Sequence, residues 1–283
     1  MTRLNRREAL ALVAVTAGGA ALVSRAAFAQ EATGSTAAET TLMPGADVCV
    51  LTPEVTEGPY YLDPDMERAD IREDRVGVAT KVRLQVVDQS CNRLEGARVD
   101  IWHCDALGIY SGYTNQLGGA DTTGKTFLRG TQFTDSKGMV EFQTIYPGWY
   151  PGRTTHIHFK VFLDETTVLT GQLFFPDALS QFIYQNVDPY AEHGSDRETL
   201  NGNDGIASQA TRASFAYVKE LAEEYLVAMI VGVDPNATSS ASQGPGGARP
   251  GGPPPDGAGG PPPGGGGTTN AEASAVPGTT GIR

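Results

Sequence analysis

An alternating stretch near the middle of the chain, residues 156–163, reads HIHFKVFL. Its apolar side chains recur at every second position, beginning at Ile157, which is the period of a half-buried β-strand. Side chains two residues apart in a strand point to the same face of the sheet. The pattern therefore predicts a strand whose apolar face enters a core, while His156 and His158 project together from the other face.

The same alternation recurs on both sides of this strand. It is found at residues 81–86, 99–102, 140–143 and 168–175. Turn signals such as Pro147-Gly148 separate the stretches, and short strands with frequent turns are typical of sandwiches and barrels. We therefore predict an all-β fold, an antiparallel β-sandwich of mixed topology with long loops. Residues 207–224 read as a helix, and residues 225–233 as its extension or, preferably, as a closing strand.

The composition excludes several classes of protein. The chain has 283 residues, a net charge of −12 and 40% hydrophobic residues. Binding to nucleic acids or to anionic membranes depends on clustered Lys and Arg, which this acidic balance does not favour. No apolar run reaches the roughly 20 residues of a membrane-spanning helix. We expect a globular protein without a membrane span in its mature form and without a nucleic-acid partner.

Both ends of the chain differ from its centre. Residues 1–29 contain the pair Arg6-Arg7, an apolar stretch and the cleavage pattern Ala27-Phe28-Ala29, which together predict a twin-arginine-type signal and export to the periplasm or the exterior. An ordinary secretion signal or an uncleaved anchor is the alternative. Because the twin-arginine route carries folded proteins, it hints that any metal is loaded in the cytoplasm.

The remaining segments divide by composition. Residues 30–45 read as a flexible leader, and residues 46–234 as one domain of ordinary size. Residues 235–283 read as a disordered Gly/Pro-rich tail, since residues 244–267 alone hold 12 Gly and 8 Pro.

The pair of histidines on this strand indicates a possible metal site. Two neutral imidazoles side by side form half of a metal site. Carboxylates are missing from this neighbourhood, but Tyr150 stands on a turn just upstream, between two Pro-Gly pairs. A phenol ligates as phenolate only beside a strong Lewis acid, and that hard ligand favours a ferric ion over softer metals. The alternative is a polar strand face without a metal.

Several motifs, in order and at matching spacing over about residues 48–235, resemble the intradiol ring-cleavage dioxygenases. The similarity is greatest to the exported branch that resembles protocatechuate 3,4-dioxygenase. The motifs are Thr56-Glu-Gly-Pro-Tyr-Tyr61, Asp100-Ile-Trp-His-Cys-Asp105, Gly108-Ile-Tyr-Ser111, Pro147-Gly-Trp-Tyr-Pro151 and Arg153-Thr-Thr-His-Ile-His-Phe159.

This resemblance implies a β-sandwich that holds one non-haem Fe(III). The ligands that it implies are two tyrosinates and two histidines: Tyr110, Tyr150, His156 and His158. The family's arginine and glutamine fall on Arg153 and Gln172. The chain departs from the family pattern at Gly152, where a tryptophan is common. Residues 30–46 are also too short and polar to form the helical dimerisation segment of catechol 1,2-dioxygenases.

The resemblance further implies an activity. The partners would be O2 and a small catecholic aromatic, whose ring is cleaved between its two hydroxyls to give a cis,cis-muconate. By analogy with the family, Tyr110 or, preferably, Tyr150 would leave the metal and take a substrate proton. Arg153 would stabilise developing charge, and Gln172 would hold Arg153 or the substrate. The catechol and the oligomeric state stay open, although an oligomer is compatible with the sequence. The alternatives are a non-catalytic exported β-sandwich binding module and an extradiol Fe(II) enzyme, which would need a carboxylate ligand.

Other candidate side chains have simpler interpretations. We expect His103 to be a hydrogen-bonded structural histidine and His193 to be solvated. Tyr113 is an alternative to Tyr110 as ligand, and Tyr60 with Tyr61 would line the pocket or only pack. Among the three cysteines we favour a Cys49–Cys91 disulfide, because Cys104 lies on a strand that approaches the site.

Overall fold

The computed structural model describes residues 49–63 and 66–240. The predicted signal (residues 1–29), the predicted leader (30–45) and the predicted tail beyond residue 240 lie outside the described residues. The strands are β1 (Ala79–Asp88), β2 (Arg98–Trp102), β3 (Arg129–Phe133), β4 (Met139–Ile145), β5 (His156–Leu163), β6 (Thr166–Phe174), β7 (Tyr217–Glu220) and β8 (Tyr225–Val233). The α-helices are α1 (Asp177–Asn186) and α2 (Tyr190–His193), and 3-10 turns lie at Leu117–Gly119, Ala207–Gln209 and Arg212–Ser214.

Two four-stranded sheets make up the predicted all-β sandwich. The first, here called the site sheet, has the order β3-β2-β5-β6 and is antiparallel throughout. The second has the order β4-β1-β8-β7, and its central pair, β1 and β8, is parallel. The topology is therefore mixed, as predicted. No helix among the described residues is long and apolar enough to cross a bilayer.

The core consists of the alternating apolar side chains that the sequence analysis identified. Val82 and Leu84 of β1, together with Ile157 and Phe159 of β5, are fully buried in one continuous hydrophobic cluster. Burial of this apolar area, at about 25 cal/mol per Å², is the main force that holds such a domain together.

The helix predicted over residues 207–224 is wrong. The structure has two 3-10 turns there, followed by β7, which pairs antiparallel with β8. In such a helix Phe215, Val218, Leu221 and Ala222 would share one side, but Val218 is half-buried and the other three are exposed. The free edge of β8 offers backbone hydrogen bonds to this segment, and that tertiary pairing overrides its weak helical pattern. The preference for a strand at residues 225–233 is confirmed by β8.

An irregular segment, residues 49–63, here called the strap, crosses the outer face of the site sheet. A disulfide between Cys49 and Cys91 holds its beginning, which confirms the favoured pairing. Farther along, the Val55 backbone N–H donates to Thr170 O of β6 at 3.0 Å. The strap therefore covers the polar face of β5 and keeps water away from the side chains beneath it.

Candidate active site

One row of side chains crosses the site sheet where its polar face is covered. The strand register places Arg129, Trp102, His158 and Gln172 opposite one another on β3, β2, β5 and β6 in turn. All four are buried. The Trp102 ring stacks on the His158 ring with centroids 4.9 Å apart. The row therefore fixes the plane of the His158 imidazole before any ligand binds.

The two histidines of β5 and the two predicted phenols converge on one point. His156 Nε2 lies 3.0 Å from His158 Nε2, 3.1 Å from Tyr150 Oη and 3.5 Å from Tyr110 Oη. Tyr110 reaches this point from the loop after β2, and Tyr150 from the loop between β4 and β5. The structure thus brings together all four side chains that the sequence analysis had grouped.

The protonation of His156 leaves a lone pair facing this cluster. Its Nδ1–H donates to Thr154 O at 2.6 Å, so Nε2 carries no proton in the neutral ring. Burial, followed by the charge of Arg153, lowers the pKa of His156 well below its usual value. Burial, followed by His156, likewise lowers the pKa of His158. Both imidazoles are therefore neutral near pH 7, as metal ligands must be.

The cluster passes a test for a metal site on its own geometry. Four atoms that can donate a hydrogen bond surround the single lone pair of His156 Nε2, although it can accept only one such bond well. They are Tyr110 Oη, Tyr150 Oη, His158 Nε2 and Arg153 Nη1, at 3.0 to 3.5 Å. Ligand atoms about 2.1 Å from one cation lie roughly 3.0 to 3.4 Å apart, which matches the distances from His156 Nε2 to His158 Nε2 and to Tyr150 Oη. In contrast, His103 Nε2 meets one partner, the Thr144 hydroxyl at 2.7 Å.

The chemistry of the candidate ligands indicates the kind of metal. Burial raises the pKa of Tyr150 to about 12 and that of Tyr110 well above its usual value. Only a strong Lewis acid holds such phenols as phenolates. Among the described residues, no group of three His, Cys, Asp or Glu side chains is placed to hold a metal. A set of two imidazoles and two phenolates fits a hard trivalent ion such as Fe(III).

Aromatic rings hold the two phenols differently. Tyr60 of the strap stacks on Tyr110 with centroids 4.3 Å apart, and Tyr110 is only 1% exposed. Tyr150 is half-buried and meets Tyr60 and Tyr110 only edge-on. Tyr113, the alternative ligand, donates its hydroxyl proton to Tyr61 O at 3.0 Å and is not part of the cluster. Tyr110 is thus clamped, whereas Tyr150 is the more exposed phenol and is stacked on neither ring.

Arg153 lies beside the cluster with a fixed orientation. Its Nη1 is 3.4 Å from His156 Nε2, and its Nη2 donates to Gln172 Oε1 at 2.5 Å. The amide nitrogen of Gln172 donates to Thr56 O of the strap at 2.9 Å, which fixes which way the amide points. Of the two roles foreseen for Gln172, the structure contains the hydrogen bond to Arg153.

Asp204 is a further residue at the site, and the sequence alone did not indicate it. It is fully buried and accepts a hydrogen bond from Arg153 Nε at 2.9 Å. About fifty positions separate the two residues along the chain, and the loop that carries Asp204 has no alternation or metal-ligand spacing. The only signal was Asn201-Gly-Asn-Asp-Gly205, which indicates a turn and no particular chemistry.

The polar layer continues down the same face of β5. Lys160 is 3% exposed, and its ammonium lies 2.5 Å from a carboxylate oxygen of Glu57 in the strap. The same ammonium sits 3.8 Å above the centre of the Tyr61 ring, a cation–π contact. Both charges of this buried pair are thus partnered, and the pair attaches the strap to the site sheet next to the histidines.

The other two histidines lie away from the cluster. His103 is a hydrogen-bonded structural residue, as predicted: Nδ1–H donates to Cys104 O at 2.7 Å, and burial lowers its pKa to about 4. The expectation of a solvated His193 holds only in part, because the side chain is half-buried. Its ring packs on Trp149, and Nε2–H donates to the Trp149 carbonyl at 2.9 Å, because α2 turns this residue back onto the loop that carries Tyr150.

Known proteins share both the sequence pattern and the fold. A sequence model of a family described as "Dioxygenase" matches residues 53–188. Catechol 1,2-dioxygenase of Candida albicans is 31% identical over 129 residues, which cover 37% of this chain and 40% of that protein. The beta chain of protocatechuate 3,4-dioxygenase from Burkholderia cepacia is 29% identical over 124 residues, 41% of this chain and 52% of that one. The chain thus spans about half or less of these curated relatives.

A solved structure extends the similarity to a whole protein. The intradiol ring-cleavage dioxygenase from Tetranychus urticae is 36% identical and superposes with a TM-score of 0.63; the match covers 68% of this chain and 98% of that one. The matched family region contains Tyr110, Tyr150, His156 and His158, the four side chains that converge in the structure. On this agreement of sequence and fold, the chain belongs to the intradiol ring-cleavage dioxygenase family.

Proposed function

We propose that this protein is a non-haem Fe(III) dioxygenase that cleaves a catechol ring between its two hydroxyls. One O2 is consumed per catechol and both of its oxygen atoms enter the product, so that catechol itself gives cis,cis-muconic acid with no atom lost. The electrons come from the substrate, so no external reductant is needed. The observation that carries the proposal is the convergence of two neutral imidazoles and two phenols within about 3.5 Å of one nitrogen, His156 Nε2.

The residues that would hold the metal are Tyr110, Tyr150, His156 and His158. When bound, Fe(III) supplies a Lewis acid that makes the catecholate accessible at neutral pH and renders its ring reactive towards O2. The protein holds the imidazoles in their ligating form through Thr154 O and through burial. It clamps Tyr110 beneath Tyr60.

Tyr150 is the residue best suited to accept a substrate proton. It is the less buried phenol of the pair and stands on the loop between β4 and β5, whereas Tyr110 is buried under a stacked ring. Because the pKa of the Tyr150 phenol is about 12, its phenolate form would be a strong base. Tyr150 would therefore accept one proton from the catechol hydroxyls.

Arg153 would stabilise negative charge that develops on the substrate during oxygen attack. Its guanidinium is held by Gln172 on one side and by a buried carboxylate on the other. Preorganised donors of this kind contribute roughly 100- to 1,000-fold to a rate. The protein would act outside the cytoplasm, a proposal supported by the Arg6-Arg7 signal and by the Cys49–Cys91 disulfide.

Oxygen uptake on a panel of catechols, with metal analysis of the same sample, tests the proposal. The panel contains catechol, protocatechuate, hydroxyquinol and lignin-derived catechols. We expect about one iron per chain, a burgundy colour and one O2 consumed per muconate formed. A yellow semialdehyde product would indicate extradiol chemistry, and a colourless, metal-free protein would indicate a binding module; either result overturns the proposal.

Matched phenol variants sharpen the experiment. Tyr150→Phe removes a proposed ligand and base, whereas Tyr113→Phe removes the hydroxyl of a nearby buried tyrosine that donates to Tyr61 O. We expect Tyr150→Phe to shift the visible band and lose most turnover, and Tyr113→Phe to keep both. Equal behaviour of the two variants would contradict the assignment of Tyr150.

A further inference from the structure

We propose that Asp204 is a positioning residue for the reaction, one that aims the Arg153 guanidinium at the reacting centre. This inference rests on the proposed function. Asp204 lies outside residues 53–188, the region that matches the family. It reaches the site from the loop after α2, a part of the chain that contributes none of the proposed metal ligands.

The carboxylate of Asp204 binds Arg153 directly. Oδ2 accepts from Arg153 Nε at 2.9 Å, and the Asp204 side chain has no solvent exposure. Arg153 Nη2 is held by Gln172, so the opposite edge of the guanidinium is fixed as well. Only Nη1 stays directed towards the cluster, 3.4 Å from His156 Nε2. Two buried partners thus leave this one donor nitrogen to face the substrate.

The carboxylate is itself held rigidly. Oδ1 accepts from the backbone N–H groups of Ile206 and Ala207, each at 2.8 Å, and Oδ2 also accepts from the Thr154 N–H at 2.7 Å. Both oxygens are therefore satisfied, and the side chain has one orientation. The bond to Thr154 is significant because the carbonyl of this residue accepts the hydrogen bond from His156 Nδ1–H.

A negative charge is required at this position as well as a hydrogen-bond acceptor. Arg153 is largely buried, with 16% of its side chain exposed, beside two neutral histidines, where an unpaired cation would carry a desolvation penalty. Asp204 is the acidic side chain in ion-pair contact with it among the described residues. An asparagine would present either an oxygen without charge or an NH2 that repels the Arg153 Nε–H. In both cases the guanidinium would lose its fixed direction.

A neighbouring residue provides a matched control. Asn201 is on the same loop and accepts from Thr154 Oγ1 at 2.9 Å, while its own amide donates to Phe175 O at 2.8 Å. It ties the loop to the same segment of chain but does not touch Arg153. If activity were lost only because the loop is loosened, Asn201→Ala and Asp204→Asn would therefore lose activity alike.

The test measures kcat, KM, iron content and the visible tyrosinate-to-iron band of the full-length, iron-loaded protein. We expect Asp204→Asn to lower kcat about 10- to 100-fold with KM, iron content and band position retained. Asp204→Glu should recover part of the loss, and Asn201→Ala should keep kcat within about threefold. A crystal structure of Asp204→Asn should show Arg153 turned away from His156.

A double variant separates positioning from general support of the structure. If Asp204 acts through Arg153, Arg153→Ala with Asp204→Asn will be no slower than Arg153→Ala alone. Additive losses, an unchanged kcat in Asp204→Asn, or an equal loss in Asn201→Ala would overturn the inference. These outcomes presuppose an active parent protein. A parent that cleaves no catechol refutes the proposed function itself, so the two failures are distinguishable.

Discussion

The two faces of β5 are equally buried but chemically opposite. His156, His158 and Lys160 on one face are at most 3% exposed, and Ile157 and Phe159 on the other are fully buried. The apolar face is covered by the second sheet, and the polar face by the strap and the loops that carry the tyrosines. Burial alone therefore does not separate structural from functional residues. What separates them is that the polar face carries nitrogen lone pairs and charges, whereas the apolar face carries neither.

The first prediction removes the proposed metal from the polar face. His158→Ala should lose most of the iron and all of its colour, because it deletes one of the two imidazoles proposed as ligands. Even changes to the surroundings of a metal ligand cost 10- to 100-fold in metal affinity, so loss of the ligand itself should exceed about 100-fold. Iron titration with visible spectroscopy measures this loss. Full colour and activity would refute the ligand assignment.

A second prediction tests the part of the polar face that binds no metal. Lys160→Met should lower the free energy of unfolding by about 3 to 5 kcal/mol, because it leaves Glu57 buried without its cation. Combining it with Glu57→Gln should recover most of that loss. Denaturant unfolding of the single and double variants measures both effects. An unaltered single variant would mean that the strap does not depend on this pair.

The smallest effect is expected on the apolar face. A Cβ added at Gly171 of β6 would lie 2.2 Å from the Phe159 ring, so Gly171→Ala should cost about 1 to 3 kcal/mol of stability through overpacking. The folded variant should bind iron with unchanged affinity. Adding Phe159→Leu would make room for the methyl group. A large loss of iron in Gly171→Ala would show that the two faces are coupled.

Local patterns were sufficient to predict most of the sandwich and the centre of the site. The period-2 alternation at β5 predicts both the strand and the shared direction of His156 and His158, because strand geometry alone determines them. Tyr150 was indicated by its turn just upstream of the histidines, whereas Tyr110 required the resemblance to a family, since residues on loops carry no periodic signal.

Features that depend on distant pairing were not predictable from the sequence. The segment after residue 206 has a weak helical stripe, but the free edge of β8 draws residues 217–220 into a strand. Asp204 reaches Arg153 only because the loop after α2 folds back against the start of β5. Glu57 likewise meets Lys160 through the path of the strap. Each is a tertiary contact between segments that give no local sign of one another.

The disulfide at the beginning of the strap has a consequence for the order in which the pocket is completed. The strap contributes Thr56 O to the orientation of Gln172 and the Tyr60 ring to the clamp on Tyr110. The proposed ligands themselves lie outside the strap and require no oxidation of thiols. If the folded chain crosses the membrane with its iron, the metal would be seated first in a reducing compartment. Formation of the Cys49–Cys91 bond after export would then fasten the cover, so that the pocket matures fully only where the enzyme is to work.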